Sequence, residues 1–308
     1  MFSKWGKTRM SALAVAVLAI AAASLTYTFM ANTRTSDQSS LEGGKYVSNH
    51  PMPLWLRSLW FPKKALGDQS FTNSVGMVMA KIPAGKFKMG SPEDSTQMPV
   101  HEVTFAKPFY MSNTVVTQAQ WIAVMDTKPW IGEKLEKTIS EPSRPATNFT
   151  LAQANEFCKK LSEKEGKEYR VANEAEWEYC AKAGSDGNWC FGGNEDLLEQ
   201  YAWCSKNTRE SGISAPLPVA GRKPNAFGLY DMHGNVWEIC VDVWQKNYHG
   251  APNDGSTWLQ GGDDSDRVLR GGCYFSLPLR TTSAFRINSV PTRPFENVGL
   301  RIVCSCHE

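Results

Sequence analysis

The chain has 308 residues, 42% of them hydrophobic and 21% charged, which allows one large domain or two small ones with a real core. A net charge of +2 with no basic stripe excludes a nucleic-acid surface. Its 24 glycines and 11 tryptophans, with few long periodic runs, point to an irregular, turn-rich fold.

The N-terminus carries Lys4, Lys7 and Arg9, and no charged residue follows from Ser11 to Thr33. A basic start before an apolar run of about 20 residues is an export signal or a membrane anchor. The small residues of "AIAAAS" offer cleavage after Ala23, so residues 1–33 read as a signal peptide or an uncleaved anchor at residues 11–33. Both readings put the rest outside the cytoplasm, in the periplasm or its equivalent, and the second adds the inner membrane as a partner. Residues 34–70, with "HPMPLWLRSLWFPKK", read as a tether or as a packed N-terminal extension.

The globular domain is expected from 71 to 308. "GMVMAKIPAGKFKMGS" alternates and ends on glycine, as a strand and turn do, and "HEVTFAKPFYMSN" reads as the next strand. Three helices follow, each opened by a capping box: Thr117 with Gln120, Thr150 with Gln153, and Asn173 with Glu176. In the second, Leu151, Ala154, Phe157, Cys158 and Leu161 share one face, and Gly166 ends it; Gly184 ends the third. From 185 to 300 the periodicity fades. So long a stretch cannot be plain loop in a compact domain; metal ions, disulfides or buried tryptophans must hold it.

Eight cysteines lie between Cys158 and Cys306, none in a CxxC pair, and the five histidines form no HxH or HExxH. A zinc site is therefore not expected. In an oxidising compartment these thiols are disulfide candidates. In "DMHGNVWE", Asp231 and Glu238 offer the hard oxygens that calcium takes, across a turn able to aim carbonyls inward. The alternative is that Glu238 pairs with an arginine.

"IPAGKFKMGS", "YRVANEAEWEYCAKAG", "PNAFGLYDMHGNVWEICVDVW" and the closing "RVLRGG…SAFR…VGLRIVC" occur in this order. Together they resemble the formylglycine-generating enzyme family, or sulfatase-modifying-factor domain, over residues 72–304. The resemblance implies an α+β fold, an irregular variant of the C-type lectin fold with little regular secondary structure. It also implies calcium at the side chains of Asp231 and Glu238 and the carbonyls of Gly234 and Val236. The family's second calcium site is not expected, because "NTRESGISAPLPVAG" is short and lacks an aspartate. A family pairing between the third helix and the last strand suggests a Cys180–Cys304 disulfide, offset by one or two positions; Cys190–Cys204 is a local guess.

Copper-dependent members hold Cu(I) with two cysteines, as soft thiolates suit a soft ion. Counted from the Gly-Gly pair, those positions are Ser276 and Thr281, so copper is not expected. Cys273 stands directly after the glycines, and an extended run would send it and Ser276 to opposite faces. The catalytic candidates are Cys273, Ser276, Thr281, Trp237 and Arg286. Trp237 lines a pocket or fills the core, and Arg286 and Arg301 have pairing with buried carboxylates such as Glu178 or Glu238 as their plainer role.

Four functions follow from the resemblance. One is a non-copper accessory or ligand-binding member with a protein or peptide ligand. Another is an enzyme that oxidises a peptide or small molecule without the copper pair, as in siderophore maturation. A third is a formylglycine-generating oxidoreductase with a displaced copper site. The fourth is a ligand-binding protein diversified by a retroelement, to which the mixed run "CYFSLPLRTTSAFRINSV" is suited. The residues leave open whether the chain is an enzyme.

Overall fold

A computed structural model describes residues 70–130 and 141–305. The expected export segment and all of the tether but Ser70 lie outside the described residues. Among the described residues no helix is long and apolar enough to cross a membrane.

Three sheets form the frame. The largest is antiparallel, in the order β1 (Phe71–Thr72), β2 (Val78–Ile82), β5 (Phe109–Ser112), β11 (Ile302–Ser305), β6 (Tyr169–Val171). A second runs β10 (Val298–Gly299), β7 (Trp237–Trp244), β8 (Asp263–Arg270), β9 (Arg286–Ser289), with β10 parallel to β7. The third is the hairpin of β3 (Gly85–Met89) and β4 (His101–Phe105). The two long strands expected from the sequence are each broken in two. Pro83 separates β2 from β3 and Pro108 separates β4 from β5, and the pieces join different sheets. Proline has no amide hydrogen to give to a ladder, so strand pairing stops there.

The helices are α1 (Gln118–Met125), α2 (Leu151–Glu165), α3 (Glu174–Lys182) and two single turns, α4 (Leu198–Tyr201) and α5 (Ser205–Thr208). All three expected capping boxes form. At α2, Gln153 N donates to Thr150 Oγ1 (3.3 Å) and Thr150 N to Gln153 Oε1 (2.8 Å). The face from Leu151 to Leu161 is the buried one, and Gly166 caps the helix at φ 64°. α3 ends one residue earlier than Gly184, on Ala183 at φ 45°.

The central sheet is buried on both faces, so its strands alternate between two cores. Ile302 and Cys304 pack with Trp121, Phe157 and Leu161 of α1 and α2. Val303, between them, packs with Trp177, Cys180 and Ala181 of α3. This alternation corrects the first expected disulfide: Cys180 of α3 and Cys304 of β11 pack in the two different cores, on opposite sides of one sheet, and no bond joins them. Cys190 and Cys204 are also free. Cys204 is enclosed in a small cluster where Trp189, not Cys190, packs against it.

Candidate functional site

The segment Arg270–Arg286 leaves β8, loops out and returns as β9, and its ends are tied by Arg270. That guanidinium is fully buried and donates to the carbonyls of Ser283 (2.9 Å), Ala284 (2.8 Å) and Phe285 (3.1 Å), besides pairing with Glu178. Gly271 and Gly272 make the return turn at φ 90° and 76°. A side chain on Gly272 would stand 2.8 Å from Arg280 O and 3.0 Å from Thr281 Cγ2, so only glycine fits.

The backbone after the glycines is a turn, not an extended strand: Ser276 N donates to Cys273 O at 2.9 Å. This corrects the expectation that Cys273 and Ser276 face opposite ways. Cys273 Sγ lies 3.3 Å from Ser276 Oγ, and that hydroxyl accepts Cys273 N at 2.9 Å. Asn297 Nδ2 also points to the sulfur, at 3.6 Å. Burial pushes the Cys273 thiol up despite these bonds, which leaves little thiolate near neutral pH.

Ser276 and Thr281 converge on the same glycine, Gly272, from which an added Cβ would stand 3.3 Å from Ser276 Cβ. The two hydroxyls are committed elsewhere. Thr281 Oγ1 donates to Pro278 O (2.7 Å) and accepts Trp189 Nε1 (3.1 Å). His233, which the sequence reading passed over, locks this corner. Its Nε2 accepts Cys190 N (3.1 Å), so its Nδ1 carries the proton and donates to Thr281 O (2.9 Å). Burial holds its pKa down at about 4, so the ring stays neutral. The residues present do not fit Cu(I): two hydrogen-bonded hydroxyls replace two thiolates.

Trp237 is 5% exposed and packs in the core beside Phe285. Arg286 grips Glu174 with two bonds, Nε–Oε1 at 2.7 Å and Nη2–Oε2 at 2.9 Å, and stacks on Trp244 and Tyr248. α3 organises these contacts. On one side of it Glu174 takes Arg286, Trp177 donates to Glu238 (2.7 Å), and Glu178 takes Arg270. Glu174 and Arg270 were not singled out from the sequence, although Glu174 and Glu178 stand at i, i+4 on a capped helix, where they must share a face.

In "DMHGNVWE", Glu238 pairs with Arg301 through both oxygens (2.8 and 2.9 Å) and accepts Trp177 on Oε2. Three of a carboxylate's roughly four acceptor positions are used, which leaves one on Oε1. Asp231 is buried in the left-handed region, φ 60°; its Oδ2 accepts Ala220 N (2.8 Å) and its Oδ1 has no partner among the described residues. Burial raises its pKa to about 6, and the Glu238 charge adds to that. Glu238 thus has the arginine partner that is the alternative to calcium, while the buried Asp231 has no ion-pair partner among the described residues. Asp231 Oδ1 and the open position on Glu238 Oε1 are hard acceptors of the kind calcium takes, and among the described residues no group of three His, Cys, Asp or Glu is placed to hold a metal ion.

A model of the "Sulfatase-modifying factor enzyme 1-like domain" family matches residues 65–306. The "Formylglycine-generating enzyme" of Streptomyces coelicolor is 27% identical over 284 residues, covering 72% of this chain and 87% of that one. Among solved structures, that of PvdO from Pseudomonas aeruginosa superposes with a TM-score of 0.70 at 32% identity, covering 77% of this chain and 98% of that one. Treponema denticola variable protein 1 superposes with a TM-score of 0.67 at 28% identity, covering 77% and 99%. Family motif, mixed α+β architecture and nearly whole-length superposition agree, and the chain belongs to the formylglycine-generating enzyme, or sulfatase-modifying-factor, family, with its irregular C-type-lectin-like fold.

Proposed function

We propose that this protein is an exported, copper-independent member of the family that works as a binding or accessory module, with calcium as a structural ion. The observation that carries the reading is the state of positions 276 and 281. Both hold hydroxyls rather than thiols, Thr281 Oγ1 is bonded on two sides, and the nearest thiol, Cys273, is buried with its pKa pushed up. Calcium would sit at Asp231 and Glu238, with the Gly234 and Val236 carbonyls, where it neutralises the surplus carboxylate. Export rests on the charged start and the apolar run to Thr33.

The test is direct. The purified protein is incubated with Cu(I), oxygen, reductant and a peptide bearing the sulfatase cysteine motif, and aldehyde is sought by mass. No aldehyde is expected. Turnover that disappears in Cys273→Ala would overturn the reading and make Cys273 the copper ligand.

A second reading has one observation in its favour. The 32% identity to PvdO over 98% of that chain fits an enzyme that matures a peptide or small molecule without the copper pair, as siderophore-maturation members of the family do. It predicts a changed product mass when the protein is supplied with a siderophore precursor and oxygen.

A further inference from the structure

The turn that carries Ser276 also carries an apolar ridge. Phe275, Leu277 and Leu279 are 54%, 60% and 63% exposed, three large hydrophobic side chains in five residues. The turn cannot roll them inward. Ser276, between the first two, is buried; its carbonyl accepts Ser205 N (3.0 Å), and Arg280 N donates to Leu277 O (2.9 Å). Scattered exposed leucines mean nothing, but a fixed cluster of this kind marks an interaction surface.

Leu279 also forms one wall of a cleft of about 310 Å³, beside Phe285. Glu93, Asp94 and Asp186 line the same cleft. Among the described residues lining it, Lys182 is the one cation, and it is already held by Glu178 (3.4 Å) and the Lys88 carbonyl (2.7 Å). Gln97 lines the cleft at 5% exposure, and its side-chain amide has no partner among the described residues. Arg280, on the ridge turn, does not line the cleft.

We propose that this face docks a peptide segment of a partner protein, with a lysine or arginine side chain in the cleft and apolar neighbours on the ridge. The carboxylates of Glu93 and Asp186, with the second oxygen of Asp94, whose Oδ1 is held by Thr96 N and Oγ1, are the acceptors that a cationic head group needs. The buried Gln97 amide, without a partner among the described residues, adds a polar group to the lining, and Leu279 and Phe285 suit the methylene stem. The volume, at the low end of ligand pockets, matches one long side chain. A free amine would leave the ridge uncovered, and an anionic membrane would be repelled by the cleft. The proposal deepens the binding-module reading and rests on it.

The probes are two labelled ten-residue peptides, leucine alternating with lysine and leucine alternating with glutamate, titrated by fluorescence anisotropy against the purified full chain. The lysine peptide should bind about tenfold or more tightly than the glutamate one, and weaken as salt rises to about 0.5 M. Leu277→Asp with Leu279→Asp should weaken it about tenfold at an unchanged melting temperature, since both side chains are exposed. Glu93→Lys with Asp186→Lys should reverse the preference. Equal binding of both peptides, no binding of either, or charge-reversed protein that keeps the lysine preference would overturn the proposal. Competition by lysine amide alone as effective as the peptide would overturn its peptide part. Aldehyde in the copper assay would instead sink the copper-independent reading and leave the anisotropy result standing.

Discussion

Asp242 shows how one buried residue sets a pH response. It is 3% exposed, and its oxygens accept Glu174 N (2.7 Å) and Trp258 N (2.8 Å). Burial, then the neighbouring Glu174 charge, raises its pKa from 3.8 to about 7, against the pull of those two bonds. The folded value lies above the unfolded one, so the group's contribution is complete below about pH 4 and is lost as pH rises through about 7. Over that window it should lower stability by up to about 1.4 kcal/mol per pH unit. Asp242→Asn keeps an acceptor for one amide and loses the titration. Urea unfolding from about pH 4 to 8 should therefore give a flatter slope for the variant than for the wild type, and equal slopes would refute the assignment. Glu174 invites a harsher change. Glu174→Gln strands Arg286, 3% exposed, without its counter-charge, and should cost about 3–5 kcal/mol in the same measurement.

At the scale of elements, the helices were legible because their signals are local. A capping box joins residues three apart, and the α2 stripe repeats within one helix, so neither depends on the rest of the fold. Thr150→Ala removes an acceptor for Gln153 N at the start of the fifteen-residue α2. It should cost about 1 kcal/mol in thermal unfolding and leave the copper assay and peptide binding unchanged; a loss above about 3 kcal/mol would mean that Thr150 does more than cap. The strands were less legible. Alternation was visible in "GMVMAKIPAGKFKMGS", but the choice of a different sheet for each half follows from partners distant in the chain. The glycine pair was visible too, whereas the turn after it was not. Cys273 and Ser276 meet because Ser276 is held on Ser205 and Cys273, contacts that no spacing rule encodes.

For the whole molecule, the long stretch after Gly184 is held largely by arginines rather than by the disulfides the cysteine count suggested. Arg270, Arg286 and Arg301 are at most 3% exposed and fasten β8, β9 and the last strand's approach to α3, β7 and neighbouring carbonyls. Calcium belongs to this scale, since a ligand bound only by the folded state stabilises all of it. Chelation should lower the melting temperature by about 5–10 °C if the ion is present near a hundredfold above its Kd. Asp231→Asn should melt alike with and without chelator; a variant that still responds would place the ion elsewhere. Export is tested on residues 1–70. A reporter active only outside the cytoplasm, fused after residue 70, should be active, and activity of a cytoplasm-only reporter would refute it.

The sequence by itself determined the family motifs, the three helix starts, the buried face of α2 and the hydroxyls at 276 and 281, because each is carried by residue type at short spacing. Only the tertiary structure decided which carboxylate meets which arginine. Arg301 and Glu238, Arg270 and Glu178, and Arg286 and Glu174 stand 63, 92 and 112 residues apart. It alone put Cys180 and Cys304 on opposite sides of a sheet, and it alone brought the acidic turns at 93 and 186 into one cleft with Leu279. The reason is physical. A cap is complete within one helical turn, whereas an ion pair or a cleft wall exists only once the strands between its halves have paired, and that pairing is settled by burial summed over two cores.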